Sequence, residues 1–206
     1  MEFWQALILG LVEGITEFLP VSSTGHLLVT QRLLGIPASE AANTYAIVIQ
    51  LGAIAAVLGL YRARVRQIAL GAVGRDAGGT RLLVALVVAF LPAAVLGFTT
   101  DDIIEGYLFG PWPIAFSWAV GGVLLLAIQG RFRGRTGKSL DDIRIKMALI
   151  VGIAQCAALW PGVSRSLATI LGGLAAGLSM VAAVEFSFLL GLLTLVISCS
   201  CVLFGY

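Results

Sequence analysis

The sequence predicts an all-α integral membrane protein, and two observations carry that prediction. The first is composition, since 59% of the 206 residues are hydrophobic and only 12% are charged, whereas a soluble domain carries about 25% charged residues. The second is that the apolar residues run in stretches of the length that a membrane-spanning helix needs, about 20 residues. Such a chain has too little polar surface to fold in water, and we expect a single membrane domain over residues 1–206.

Four apolar segments predict complete transmembrane helices. Each has the length of a bilayer crossing, and Gly and Ala are frequent in them, as expected where helices approach closely in lipid. They cover residues 43–62, 81–98, 113–130 and 181–203.

Two other apolar segments are each interrupted by a polar turn. Residues 3–35 are interrupted at EFLPVSSTGH, and residues 145–178 are interrupted at LWPGVSRS. The halves have about 12–16 residues each, which is too short to span a bilayer. Two such halves joined by a Pro/Ser turn predict a re-entrant helical hairpin in each segment.

The distribution of charge predicts the orientation. Eleven of the 13 Lys and Arg residues lie in 62–81 and 131–146, whereas 99–112 has three acidic residues and no basic one. The positive-inside rule then makes the two basic loops cytoplasmic and 99–112 external. Topology accounts for these basic residues, so no nucleic-acid partner is expected.

The two broken segments resemble each other. GLVEGITEFLP-VSS at 10–23 aligns with GIAQCAALWPGVSRS at 152–166, and the predicted orientation makes the hairpins enter the membrane from opposite faces. Those two features predict inverted repeats with a site at the midplane between broken helices. We divide the domain into repeat one, about 1–112, and repeat two, about 113–206.

Two glutamates in the first hairpin are candidate metal ligands. Glu13 and Glu17 are spaced i, i+4, so their carboxylates lie on one face of a helix. Two close carboxylates in a low dielectric cannot both stay ionised unaided, so one is protonated or a cation lies between them. Mg²⁺ binds through one or two carboxylates plus phosphate oxygens. The alternative is that the two glutamates lie at the membrane surface, where they only keep that part of the helix in contact with water.

His26, the only histidine, follows the turn of the first hairpin. An imidazole suits acid/base catalysis or nucleophilic attack near neutral pH, although a lone histidine is often structural. Arg165 lies in the second turn, where its planar guanidinium and the free N–H groups of the helix beginning near Ser164 suit a phosphate. The alternative for Arg165 is an ion pair with a carboxylate such as Glu17. Glu185, at the start of the last span, is expected to cap that helix or pair with a basic residue.

VEGITEFLPVSSTGH (12–26) and LWPGVSRSLATI (159–170) resemble the two signature motifs of the bacitracin-resistance type undecaprenyl-diphosphate phosphatase family. The resemblance implies hydrolysis of undecaprenyl diphosphate to the monophosphate with a divalent cation, Mg²⁺ or Ca²⁺, which recycles a lipid carrier for cell-wall synthesis. It implies that Glu13 and Glu17 serve metal binding and catalysis. It also implies that Ser23 and His26 are catalytic, with either as the nucleophile, and that Arg165 holds the phosphate.

The polar residues and the glycine around both turns are the substrate-binding candidates. They are Ser22, Thr24, Gly162, Ser164, Ser166 and Thr169. The expected partner is a polyprenyl diphosphate lipid in the inner (plasma) membrane, and a homo-oligomer is left open. The chain ends at Tyr206, before the final spans of usual members, so we expect repeat two to be incomplete. Leu167 stands where the family usually has glycine and is expected to narrow the site.

A transporter or flippase for a phosphorylated polyprenyl lipid is the alternative function. Inverted repeats with broken helices are also the architecture of secondary transporters, and the carboxylates and His26 would then form a proton relay. Phosphate release by the purified protein distinguishes the two hypotheses.

Overall fold

The computed structural model describes residues 1–37, 39–108, 110–128, 130 and 136–203, and these residues confirm the all-α prediction. Short 3-10 turns precede and follow the eighth helix, at Leu140–Asp142 and Cys156–Leu159. The α-helices are α1 (Phe3–Thr16), α2 (Ser23–Leu33), α3 (Glu40–Val48), α4 (Gln50–Leu60), α5 (Arg62–Ala72), α6 (Ala77–Leu108), α7 (Pro111–Ile128), α8 (Ile145–Gln155), α9 (Arg165–Ala175) and α10 (Met180–Leu203).

Three helices among the described residues are long and apolar enough to cross a membrane, and they match three of the four predicted spans. These are Ala77–Thr100 within α6, the whole of α7, and Met180–Ser200 within α10. The fourth predicted span, 43–62, is instead divided into α3 and α4. The chain then turns by 86° between Thr44–Leu60 and α5. The bend falls where the run of arginines begins, since cationic side chains leave the hydrocarbon region.

The prediction of a loop at 62–81 is wrong, because α5 occupies most of it and α6 begins at Ala77. The Arg, Gln, Ala and Leu residues of α5 are good helix formers. The cluster of positive charge therefore indicates where the membrane ends and does not indicate irregular backbone. A Cβ on Gly79 would collide with the carbonyl of Gln67, which shows how closely α5 and α6 pack.

The predicted external loop is also mostly helical, since α6 continues to Leu108 and α7 begins at Pro111. Part of the second basic loop, residues 131–135 with Arg131, Arg133 and Arg135, lies outside the described residues.

Both hairpins break where the sequence predicts. The turn of the first hairpin lies between α1 and α2, and the turn of the second lies between the 3-10 turn Cys156–Leu159 and α9. Gly162 in the second turn has φ +89°, a left-handed conformation that glycine adopts without steric cost. The direction from which each hairpin enters the membrane stays a prediction.

The two hairpins differ in how they pack. The main apolar core forms where α8 and α9 meet α6 and α10, and it includes Ala89, Val151 and Phe186. A Cβ on Gly152 would lie 2.6 Å from the carbonyl oxygen of Ala89, so α6 and α8 touch through their backbones. The first hairpin instead packs around a small separate cluster of Leu9, Leu27, Ile36 and Ala42. It therefore lies beside the main core rather than within it.

Candidate active site

The turns of the two hairpins, which we call the first tip (residues 17–23) and the second tip (residues 160–166), are in contact. Arg165 donates from Nη2 to Oε1 of Glu17 at 2.6 Å, across 148 positions of sequence. The hydroxyl of Ser166 donates to the carbonyl of Leu19 at 2.8 Å. The structure thus brings together the two motifs that the sequence singled out.

Glu17 is the centre of this contact. Its Oε1 accepts from Arg165, and its Oε2 accepts from the hydroxyl of Ser23 at 2.5 Å. Its side chain is only 7% exposed, and that of Arg165 is 15% exposed. The expected alternative for Arg165, an ion pair with Glu17, is therefore present. It does not exclude phosphate binding, because a guanidinium has five N–H donors.

Glu13 lies one helical turn before Glu17 and is 1% exposed. Neither of its carboxylate oxygens has a hydrogen-bond partner among the described residues. An unpartnered ionised carboxylate at such depth is costly, so this position requires a proton or a cation. The described residues contain no group of three or more His, Cys, Asp or Glu side chains placed to bind a metal. A cation here would depend on these glutamates and on oxygens from a ligand, which is how Mg²⁺ commonly binds.

His26 lies in the first turn of α2, three residues after Ser23. Its Nδ1–H donates to the carbonyl of Ser22 at 2.8 Å. With Nδ1 as the donor, the neutral imidazole has Nε2 as its unprotonated nitrogen. Ser22 has φ +64° and is the only non-glycine residue of the described chain in the left-handed region. Such strain persists where surrounding structure fixes it, and here it accompanies the hydrogen bond that sets the tautomer of His26.

The hydroxyl groups of Ser164 and Ser166 in the second tip, and of Thr169 just after it, are hydrogen-bonded to other groups of the protein. Ser164 accepts from the backbone N–H of Leu167 at 3.2 Å, which caps α9, and it shares a 2.9 Å hydrogen bond with Ser166. Thr169 is 1% exposed and lies 2.6 Å from the hydroxyl of Ser187 on α10. These contacts hold the tip in shape, and a role of the same residues in substrate binding stays a prediction. Thr24, by contrast, is exposed at the start of α2.

A cavity of about 1140 Å³ adjoins the polar site. His26 and Ser164 line it on the side of the tips, and Leu167 lines it beside Ser164. Its other walls are apolar and come from α6 to α9, among them Leu96, Leu125, Ile153 and Leu171. The cavity thus reaches the tips at His26 and Ser164, and its apolar walls suit a hydrocarbon chain.

Two neighbours on α7 were not recognised as site residues from the sequence. The hydroxyl of Ser117 donates to the carbonyl of Pro161 at 2.9 Å, and the ring of Trp118 lies 4.7 Å from that of His26, centroid to centroid. Their sequence positions give no signal of this, because a serine or an aromatic residue in an apolar span does not show what it faces.

A second cluster of charges lies away from the tips. Arg64 on α5 donates to Glu185 on α10 at 2.9 Å and to Asp141 at 2.6 Å. The expected pairing of Glu185 with a basic residue is confirmed. The hydrogen bond from Arg64 lowers the pKa of the Asp141 carboxyl below its ordinary value. This cluster fastens α5, α10 and the 3-10 turn Leu140–Asp142 to one another.

The fold and the site define a multi-pass helical membrane protein with a carboxylate–histidine–arginine site where two broken helices meet. The chain belongs to the family described as bacitracin resistance protein BacA, whose model matches residues 6–204.

Relatives named undecaprenyl-diphosphatase support that assignment. The chain is 49% identical to the one from Sorangium cellulosum, over 94% of this chain and 64% of the relative. It is 48% identical to the one from Ectopseudomonas mendocina, over 100% of this chain and 75% of the relative. A relative from Clostridium tetani is 43% identical, over 91% of this chain and 69% of its own length. The chain thus spans 64–75% of the length of these proteins.

Proposed function

We propose that this chain hydrolyses undecaprenyl diphosphate to undecaprenyl phosphate and inorganic phosphate, which returns a lipid carrier to cell-wall synthesis and counters bacitracin. The observation that carries the proposal is the buried cluster in which Glu17 binds both Arg165 and Ser23. His26 follows Ser23 by three positions and lines the neighbouring apolar cavity. The relatives' names favour hydrolysis over the transporter alternative.

The substrate's two parts match the two parts of the site. The isoprenoid tail would occupy the apolar cavity of about 1140 Å³, and the diphosphate would lie at the tips, which the cavity reaches at His26 and Ser164. Arg165 has donors left over after its bond to Glu17, and the first-turn N–H groups of α9 begin at the same residue. Together they would stabilise negative charge on the phosphoryl group as it is transferred.

His26 is the residue we assign to the reacting phosphorus. Both oxygens of Glu17 are already hydrogen-bonded, and the Ser23 proton points to one of them. The Nε2 of His26 is the unprotonated nitrogen of the tautomer that Ser22 fixes. Attack by Nε2 on the terminal phosphorus would form an N–P bond and break the bridging P–O bond, and undecaprenyl phosphate would leave. Water would then cleave the N–P bond, releasing inorganic phosphate and regenerating the imidazole.

Glu13 and Glu17 would hold a divalent cation, Mg²⁺ or Ca²⁺, which would offset the charge of the bound diphosphate. The unpartnered oxygens of Glu13 support this assignment.

Phosphate release from undecaprenyl diphosphate by the purified protein in detergent tests the function. We expect release by the wild type and strongly reduced release by Glu17→Gln and Arg165→Ala. Arg64→Ala is the matched control, because it also removes an arginine from an ion pair but lies outside the site. The hydrolase proposal fails if the wild type binds the lipid but releases no phosphate, while vesicles containing it move the lipid between leaflets.

Trapping the phosphorylated enzyme tests which residue attacks. Phosphohistidine is labile in acid and stable in base, whereas phosphoserine behaves in the opposite way. We expect an acid-labile label that maps to His26 and is absent from His26→Gln. An acid-stable label on Ser23 would transfer the nucleophile's role to that serine.

We also propose that the chain lies in the plasma membrane with 62–81 and 131–146 on the cytoplasmic side. The support is the concentration of Lys and Arg in these segments. A cysteine at position 75 should react with an impermeant thiol reagent only after the cells are opened, and one at position 106 should react in intact cells. The reverse pattern would invert the orientation.

A further inference from the structure

The His26 imidazole lies against the indole ring of Trp118 on α7. The ring centroids are 4.7 Å apart and the planes are inclined by 38°. The other restraint on the imidazole is its hydrogen bond from Nδ1 to Ser22. The hydrogen bond at Nδ1 limits rotation of the ring about the Cβ–Cγ bond only within its tolerance of length and angle, and contact with a large flat neighbour narrows that remaining range.

The backbone of α2 is shaped to admit this indole. A Cβ on Gly25 would lie 2.5 Å from Cζ2 of Trp118 and 2.7 Å from Cε2 and Nε1. Those distances are too short for any side chain, so Gly25 is the residue that allows Trp118 to reach the first turn of α2.

Hydrogen bonding does not explain the placement of the indole. Its Nε1 is buried and has no partner among the described residues, and an unpartnered buried donor is destabilising. The ring is therefore held by contacts through its face and edge.

Helix α7 is itself fixed to the second tip. Ser117, next to Trp118 in sequence, donates to the carbonyl of Pro161. A Cβ on Gly162 would lie 2.8 Å from the Cα of Ile114, so the second tip also touches the backbone of α7. One helix thus contacts the second tip through Ser117 and the start of α2 through Trp118.

We infer that Trp118 is a positioning residue that fixes the orientation of the His26 imidazole relative to the second tip, and that Gly25 provides the space for it. The inference rests on the proposed function, because it assigns Trp118 a part in the reaction of His26. Trp118 also lines the apolar cavity, and a residue that served only as cavity wall would affect lipid binding instead.

Two substitutions separate these roles. Trp118→Phe keeps an aromatic face, and Trp118→Leu keeps only apolar bulk. We expect Trp118→Leu to lower kcat about tenfold with little change in KM, because reacting groups that lose their orientation slow the chemical step. Trp118→Phe should restore most of kcat. Phe116→Leu, on the same helix and in the same cavity wall, should raise KM instead, and Trp112→Leu, 83% exposed on α7, should match the wild type.

A readout that needs no activity comes from diethylpyrocarbonate, which modifies unprotonated imidazole, and His26 is the only histidine. With an affinity tag that lacks histidine, Trp118→Leu should react several-fold faster than the wild type, because one face of the imidazole is uncovered. Trp112→Leu should react at the wild-type rate. This result does not depend on whether the chain hydrolyses undecaprenyl diphosphate, so it distinguishes failure of the inference from failure of the proposed function.

Gly25→Ala provides a second, coupled test. It should lower kcat by displacing Trp118, and adding Trp118→Leu to it should cause little further loss, because the clash is then gone. The inference is overturned if the two losses multiply, if Trp118→Phe is as slow as Trp118→Leu, or if the carbethoxylation rate of His26 is the same in every variant.

Discussion

The two hairpins divide the work of the site unequally. The first hairpin carries most of the reactive groups, yet only three residues of α1 are buried: Leu9, Glu13 and Thr16. Its outer face is apolar and exposed, as at Phe3 (79%) and Leu11 (65%). The second hairpin contributes Arg165 and lies in the main core. The chemistry therefore lies on the less securely packed hairpin, and its position depends on contacts between the tips.

The contacts that join the tips are polar, whereas those that anchor the second hairpin are apolar. Arg165 binds Glu17, and Ser166 binds the Leu19 carbonyl. Small residues let α8 and α9 approach their neighbours closely, as at Gly152 and Gly172, which is the usual basis of helix packing in lipid. Substitutions at the tips should consequently affect catalysis, and substitutions in the core should affect stability.

Substitution of Arg165 should have the largest effect on activity. Arg165→Ala removes both the ion pair to Glu17 and the proposed phosphate contact, and should lower kcat/KM about 10²–10³-fold. Arg165→Lys keeps the charge but not the planar fork, so its activity should lie between the two. Phosphate release in detergent measures both variants. Equal activity of the wild type and Arg165→Ala would remove this arginine from the mechanism.

Ser166→Ala should have a smaller effect, because it removes one hydrogen bond between the tips. We expect kcat to fall by about tenfold, since small displacements of reacting groups are costly. The free energy of unfolding should fall by only about 1 kcal/mol. Thermal unfolding followed beside the phosphate assay separates the two quantities. A loss of stability with unchanged kcat would mean that the bond to Leu19 does not position the first tip.

A matched pair of buried residues tests the comparison without touching a polar group. Val151→Ala in the second hairpin should lower the free energy of unfolding by about 1–3 kcal/mol while the folded enzyme keeps its kcat. Leu9→Ala in the first hairpin lies one turn before Glu13 on α1 and should lower kcat as well. Both residues are 0% exposed, so burial is controlled. The same change in kcat for both variants would contradict the division of labour.

Substitution of Asp141, which lies outside the site, should have the smallest effect, and only on stability. Its folded-state pKa lies below the ordinary value because of Arg64, so the ion pair adds stability above the unfolded-state pKa and loses it as pH falls through the folded one. The carboxylate is largely exposed, so this gain is small. Melting temperatures measured down through acid pH should fall more for the wild type than for Asp141→Asn, and kcat should be the same for both. Parallel melting curves would show that the pair adds no stability.

The sequence predicted those parts of the fold that follow from local pattern. The first hairpin turns around Pro20 and the second around Pro161, because each Pro/Ser turn divides an apolar segment into halves too short to cross the membrane. Three spans follow from length and hydropathy alone. Helix α5 was missed because a cluster of arginines reports the membrane boundary and says nothing about backbone conformation.

The site was predicted as a set of residues but not as an arrangement. Glu17 and Arg165 were both singled out because ionisable groups in apolar segments are costly, and their mutual distance could not be read from positions so far apart. The sequence could not predict that Trp118 belongs to the site, since only the packed structure shows that Gly25 leaves space for its ring. The division into two repeats stays a prediction.

The proposed site requires the two tips to meet, and cross-linking between them measures this directly. In a variant with Cys156, Cys199 and Cys201 replaced by serine, cysteines are placed at Leu19 and Ser166, whose backbone and side chain are joined by a hydrogen bond. Mild oxidation or a short bis-thiol reagent should link them, so that the two halves stay together after proteolysis between the hairpins. The control pair, Leu11 with Ser166, should not link. Absence of a link at Leu19 and Ser166, or equal linking of both pairs, would contradict the claim.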